Sequence, residues 1–239
     1  MNGEIKICQE KIPIKILILG EGVNDVGNYN DIGQWIDGSI IKLLSKINDK
    51  IELIPIDKKQ LPKTVAMKDR PSPQGHGKII QKMMIYARTR KIEYEIMVYY
   101  GDTDKEANSK NTEVQARKAS RNAYQQAHDA FELYEVKGIA IIPLRMLESW
   151  LLADEQAFFN AFSYRVTLPN KPELLWGDEK DPDSDHPKRA LERVLSSIKC
   201  NNNTYSYSQI FENADIVVLE RKCPISFSPF IQNARKYLG

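Results

Sequence analysis

The residues best suited to chemistry are Gly101-Asp102-Thr103-Asp104, which come after the run from Ile92 to Tyr100 and set two carboxylates where an apolar strand opens. A comparable stretch, Gly20-Glu21-Gly22-Val23-Asn24-Asp25, closes the earlier run Ile14 to Leu19. In an open parallel sheet, ligands bind outside the carboxyl ends of the strands, so acids from distant segments can meet there. Gathered carboxylates repel one another and resist ionising together without a cation between them, and an oxygen-rich cluster suits Mg²⁺ or Mn²⁺. The expectation is therefore a site for one or two such ions, with Asp102 and Asp104 on one side of the extended chain by alternation.

Those turns need strands beneath them. Ile14 to Leu19 is short, rich in β-branched residues and closed by glycine, which predicts a buried strand. Ile51 to Ile56 predicts a second strand, the stretch after Arg90 up to Tyr100 a third, and Gly138 to Pro143 a fourth. Helical spacing marks Ile32 to Ile47, Ile79 to Arg90 and Thr112 to Tyr134 between them, then Leu144 to Phe162 and Pro187 to Ile198. Alternation of this kind implies crossover units, a parallel four-stranded sheet and helices on both faces, an α/β fold. After Pro143 the alternation stops. The expected organisation is an α/β domain over 1–155 and a mainly α-helical C-terminal extension over 156–239 packed on it as a cap, with no internal repeat and no long linker.

Hydrophobic residues make up 42% of the 239, enough for a real core. A net charge of +2, from 34 basic and 32 acidic residues, excludes the gross basic field of a nucleic-acid coat protein, so any polyanion site must be local. Cys8, Cys200 and Cys223 lack the Cys-x-x-Cys spacing of a zinc site or redox pair, and His76, His128 and His186 form no metal-binding pattern either. No apolar run approaches the ~20 residues needed to cross a bilayer, and the N-terminus lacks a signal peptide's apolar core, so a cytoplasmic protein with no membrane partner is expected.

A strand followed by Gly20-Glu21-Gly22, and a later strand ending in Asp102-Thr103-Asp104, together resemble the Toprim fold of topoisomerases, primases and overcoming-lysogenization-defect nucleases. Leu147-Glu148-Ser149-Trp150-Leu151-Leu152-Ala153-Asp154 in addition resembles a motif of a Toprim-like family of unknown function linked to phage defence. The likeness spans roughly Ile14 to Asp154. It implies Glu21 as the acid/base or metal-ligand glutamate, Asp102 and Asp104 as Mg²⁺ ligands, and Asp25, placed after Glu21 as in the defence nucleases, as a ligand favouring a second ion. Plainer roles stand beside these: Asp102 as a simple cap at the strand's end, and Asp25 as a turn residue beside Asn24 and Gly27. Glu148, soon after the fourth strand, is the preferred further metal ligand. Asp154 would lie about a third of a turn away from it on a continuous helix and is expected at a helix end.

Breaking a phosphodiester develops negative charge that a cation neutralises. Lys188 and Arg189, after His186-Pro187, are the candidates, Lys188 at the reacting phosphate and Arg189 on the nucleic acid, although Pro followed by basic residues is also an ordinary helix start. Pro62, Pro71, Pro73, Gly75 and Gly77 break up the segment from Lys58 to Gly77. Lys63, Lys68, Arg70, His76 and Lys78 would there form a phosphate-contacting patch, or a merely solubilising one. No Gly-x-x-x-x-Gly-Lys-Ser/Thr loop is present, unlike in the defence nucleases, which leaves any ATPase to a separate subunit. The leading expectation is a Mg²⁺-dependent nuclease in anti-phage defence, with oligomeric state left open. The alternatives are a non-catalytic nucleotide- or partner-binding subunit of a defence complex, and phosphoryl transfer on a small molecule.

Overall fold

The computed structural model describes residues 12–20, 22–29, 32–63, 72–103 and 113–239. The chain runs β1 (Ile14–Leu19), α1 (Val23–Val26), β2 (Gly27–Tyr29), β3 (Trp35–Asp37), α2 (Ser39–Ser45), β4 (Ile51–Ile56), α3 (Gly75–Arg90), β5 (Ile96–Tyr100), α4 (Glu113–Leu133), β6 (Gly138–Ile141), α5 (Glu148–Leu151), α6 (Glu155–Phe162), α7 (Pro187–Ser197), α8 (Thr204–Asn213), α9 (Ile216–Lys222) and α10 (Phe227–Leu238). The main sheet has four strands in the order β4-β1-β5-β6, and every pairing in it is parallel, as the crossover pattern predicts. Leu19 lies opposite Tyr99, and Tyr100 opposite Ile141, so the chain leaves β1, β5 and β6 at nearly the same level. That common rim is where the candidate acids sit.

Period-two alternation divides the buried strand residues between two faces. Leu17, Leu19, Met97, Tyr99 and Ala140 pack with Ile80, Met83 and Met84 of α3 and with Ala123, Ala127, Ala130 and Phe131 of α4. The alanines of α4 recur at helical spacing and let that helix lie close on the sheet. On the opposite face Ile16, Ile18, Val98, Tyr100 and Ile139 pack with Ile40 and Leu44 of α2, Trp150 of α5 and Phe230 of α10. The strands and the C-terminal helices thus share one apolar cluster, in which the Trp150 ring lies edge-on to Phe227 and stacks on Phe230 at 5.6 Å. Among the described residues no helix is long and apolar enough to cross a membrane.

Several expected elements have other bounds. The helix expected over Ile79–Arg90 begins at Gly75, so Gly75 and Gly77, expected to break up the segment from Lys58, lie in the first turn of α3. The helix expected over Ile32–Ile47 is confined to α2, and Ile36 belongs to β3, which pairs antiparallel with β2. The amide of Gly38 donates to Val26 O at 3.0 Å, and a Cβ on Gly38 would stand 2.3 Å from the Asp25 carbonyl oxygen, so the chain is drawn against α1 there and cannot coil. The third strand starts at Ile96 rather than soon after Arg90, because Lys91 at φ 55° closes α3 and Ile92 N turns back to Ala87 O at 2.9 Å. The single helix expected over Leu144–Phe162 is two helices, with Asp154 between them accepting from Gln156 N at 2.9 Å as the N-cap of α6. The helix expected over Pro187–Ile198 is α7, and the chain after it is helical as well, as α8 to α10.

Candidate functional site

Three successive strand ends build the site. After β1, Gly20 turns the chain so tightly that a Cβ there would stand 2.6 Å from Val26 Cγ2 and 3.1 Å from Asp25 Cβ, so no larger residue fits. Asp25 is nearly buried, and its Oδ2 accepts from Gly22 N at 2.7 Å, the turn-forming bond open to aspartate here. After β5, Gly101 N donates to Ile141 O at 3.1 Å and extends the sheet by one residue. Alternation then sends Tyr100 and Asp102 to one side, where the tyrosine hydroxyl donates to Asp102 Oδ1. Thr103 points the other way, fully buried, and its hydroxyl donates to Leu144 O and, at 3.2 Å, to Pro143 O, while its amide donates to Arg145 O at 3.1 Å. The Asp102 segment is thereby fastened to the segment after β6 that carries Arg145 and Glu148.

The acids act on the same buried hydroxyl. Burial pushes the Tyr100 hydroxyl far above its ordinary pKa, and the charges of Asp102, Asp25 and Glu148 push it further in the same direction. Glu148 is 8% exposed, and burial raises its carboxyl, an effect opposed by its own helix-start amide, by Lys188 and by the Tyr207 hydroxyl, which donates to Oε1 at 3.2 Å. Desolvation lowers the pKa of Lys188, but Glu148, Glu179 and Asp102 together outweigh it and hold the ammonium charged. Lys188 Nζ also donates to Glu179 Oε1 at 3.2 Å. Asp25, Asp102, Glu148 and Lys188, expected from the sequence as site residues, are therefore brought together on one rim.

Other expected residues fall elsewhere. Glu21, Asp104, Lys68 and Arg70 lie outside the described residues. Lys63 and Lys78 are exposed. His76 is buried in the first turn of α3 with its Nδ1 2.8 Å from Tyr99 Oη, inside the molecule rather than on a basic surface. Arg189 turns along its own helix, donating to Glu192 Oε2 and to Glu179 O, both at 2.6 Å. Asp154 stands at a helix end, as expected, and its second oxygen accepts from Asp215 N at 2.8 Å.

Four residues at this rim were not singled out by sequence: Tyr100, Thr103, Arg145 and Tyr207. Alternation around Asp102 could have found the first two. Tyr207 reaches Glu148 across 59 positions, with no local signal. Arg145 is a lone charge within the apolar stretch from Ile139 to Leu147, 5% exposed, and its Nε has no hydrogen-bond partner among the described residues. Its Cζ lies 5.9 Å from the centroid of the Trp176 ring. A cation–π contact returns about 0.5–2 kcal/mol, whereas burying a charge without a counter-ion costs several kcal/mol, so Arg145 is not explained by stability.

The oxygen chemistry of Asp25, Asp102 and Glu148 suits a hard divalent ion. Among the described residues, however, no group of three or more His, Cys, Asp or Glu is arranged to hold a metal, and a complete ligand set would need Glu21 or Asp104. Compared with protein-family models, with curated proteins and with solved structures, the chain matches none.

Proposed function

We propose that the chain is a Toprim-like, Mg²⁺- or Mn²⁺-dependent enzyme that cleaves phosphodiester bonds in nucleic acid. The observation that carries this reading is the meeting of Asp25, Asp102 and Glu148 around Tyr100 at the carboxyl rim of the sheet, with Lys188, from a fourth segment, acting with Asp102 and Glu148. Glu21, Asp25, Asp102, Asp104 and Glu148 would hold one or two ions, which when bound polarise the phosphate and lower the pKa of a bound water. The chain's own contribution is positional. Tyr100 orients Asp102, Tyr207 orients Glu148, and Lys188 offers a charged Nζ to an oxygen that becomes more negative as the bond breaks.

The test is cleavage of single- and double-stranded DNA and of RNA, with Mg²⁺ or Mn²⁺ and with EDTA, by wild type and by Asp102→Ala. Metal-dependent cleavage lost in the variant is expected. Metal-independent cutting, or equal activity of the two proteins, refutes the proposal. A second reading, a non-catalytic nucleotide- or partner-binding subunit of a defence complex working with a separate ATPase, is favoured by the near-neutral net charge of +2. It predicts nucleotide or protein binding by a chain inert with every nucleic acid and both metals.

A further inference from the structure

Arg145 takes no part in the acid cluster, yet it belongs to the same rim as Asp102, its backbone tied to Thr103 by the N–H···O bond of 3.1 Å. Its side chain is nine-tenths buried and its Nε has no partner among the described residues. No carboxylate among the described residues pairs with it, although Asp102 and Glu148 lie on segments joined to its own, and burial is the single influence that moves its pKa. The positive charge is thus held clear of the acids rather than spent on them. Trp176, over whose ring the guanidinium lies, is itself 39% exposed, so this corner of the rim opens to solvent. The residue after it, Gly177, packs against the start of α7: a Cβ there would stand 2.8 Å from His186 N. That contact brings the Arg145–Trp176 pair to the helix end that carries Lys188.

We infer that Arg145 is a phosphate receptor, a buried guanidinium on the face of Trp176 that binds a phosphate of the nucleic-acid strand next to the one held at the acid cluster. The planar fork of arginine donates two parallel hydrogen bonds to paired phosphate oxygens, and a guanidinium whose Nε is unsatisfied, and with which no acid among the described residues pairs, is prepared for that ligand. This deepens the phosphodiester reading and rests on it for the identity of the strand, but it concerns binding, so it is measured without metal or turnover.

The experiment titrates a labelled short single-stranded oligonucleotide with the full chain in EDTA, by fluorescence anisotropy at several salt concentrations. Arg145→Met is expected to weaken binding roughly 10- to 100-fold, the loss of one charge-assisted contact. The slope of log affinity on log salt should fall by about 0.7, the value for one phosphate contact on a single strand. Arg145→Lys, which keeps the charge and loses the fork, is expected to restore part of the affinity. It decides the matter if the methionine variant does not fold, since wild-type binding by Arg145→Lys would then overturn the inference. Trp176→Ala, at a partly exposed position, is expected to weaken binding several-fold with an unchanged salt slope. A folded Arg145→Met protein with wild-type affinity and slope overturns the inference, as does a wild type that binds no oligonucleotide. The same titration with a nucleoside monophosphate separates the sources of the phosphate: a loss confined to the mononucleotide overturns the strand assignment, and a loss with the oligonucleotide supports it. Arg145-dependent binding by a chain that cleaves nothing would defeat the enzyme proposal and leave the receptor standing. Cleavage indifferent to Arg145, with equal binding, would do the reverse.

Discussion

Thr103→Val tests whether the Asp102 turn is fastened to the Arg145–Glu148 segment through one hydroxyl. Valine has nearly the shape of threonine, so the fully buried site stays filled while the donor to Pro143 O and Leu144 O is removed. A lost hydrogen bond is worth about 1 kcal/mol, and the carbonyls left without their donor add a desolvation penalty, together about 2 kcal/mol. For a chain of this length each kcal/mol moves the midpoint by about 2–4 °C, so Tm should fall by about 4–8 °C in a thermal melt. Thr103→Ser keeps the hydroxyl and loses one methyl, about 1 kcal/mol, and should fall half as far. Under the phosphodiester proposal the valine variant should also lose cleavage by about 100-fold at temperatures where it is folded, because a displacement of ~1 Å at Asp102 spoils the reacting geometry. A valine variant as stable as wild type, or a serine variant less stable than the valine one, would refute the clamp.

Three further outcomes are expected. Burial raises the Glu148 carboxyl above its unfolded value of roughly 4.3, so the native chain holds that proton more tightly and stability falls as pH rises from there through the raised native value. Glu148→Gln should remove this decline in melts followed from acid to neutral pH while lowering cleavage at least about 100-fold. Asp154→Ala should cost about 2 kcal/mol in a denaturant titration, through loss of the α6 cap and of the bond to Asp215 N, and leave cleavage unchanged. Gly101→Ala sets a Cβ 2.3 Å from Tyr99 Oη and 3.0 Å from His76 Nδ1 and should cost about 1–3 kcal/mol, part of which Tyr99→Phe in the same chain should restore if the clash is with that oxygen.

The sheet was legible because burial on both faces writes itself into short runs such as Ile14-Lys15-Ile16-Leu17-Ile18-Leu19 and Ile96-Met97-Val98-Tyr99-Tyr100, and because helices between them force parallel crossovers. What failed was decided by contacts at a distance. The apolar spacing from Ile32 to Ile47 carries helical period, yet Gly38 is pressed on Asp25 and the first part pairs as a strand. Asp154 is expected at a helix end but not as the break within Leu144–Phe162, which its bonds to Gln156 N and to the distant Asp215 N make.

The site divides along the same line. Asp25 and Asp102 could be expected from their places after two strands, since topology alone brings adjacent parallel strand ends level. Glu148 needed the register of β6 as well, and Lys188 needed the packing of α7 against α5, which no spacing encodes. Arg145 was not singled out, since it stands among core residues on both sides. Charge separates these groups into two kinds: Asp102 and Glu148 act on the ammonium of Lys188, and with Asp25 on Tyr100, while the guanidinium after β6 forms no ion pair with any of them. If stability alone had shaped this rim, Arg145 would neutralise the acids on the segments joined to it. An acid cluster short of positive charge, with a buried cation withheld from it, is the arrangement expected where a cation and a phosphate are to be supplied from outside, each to its own partner.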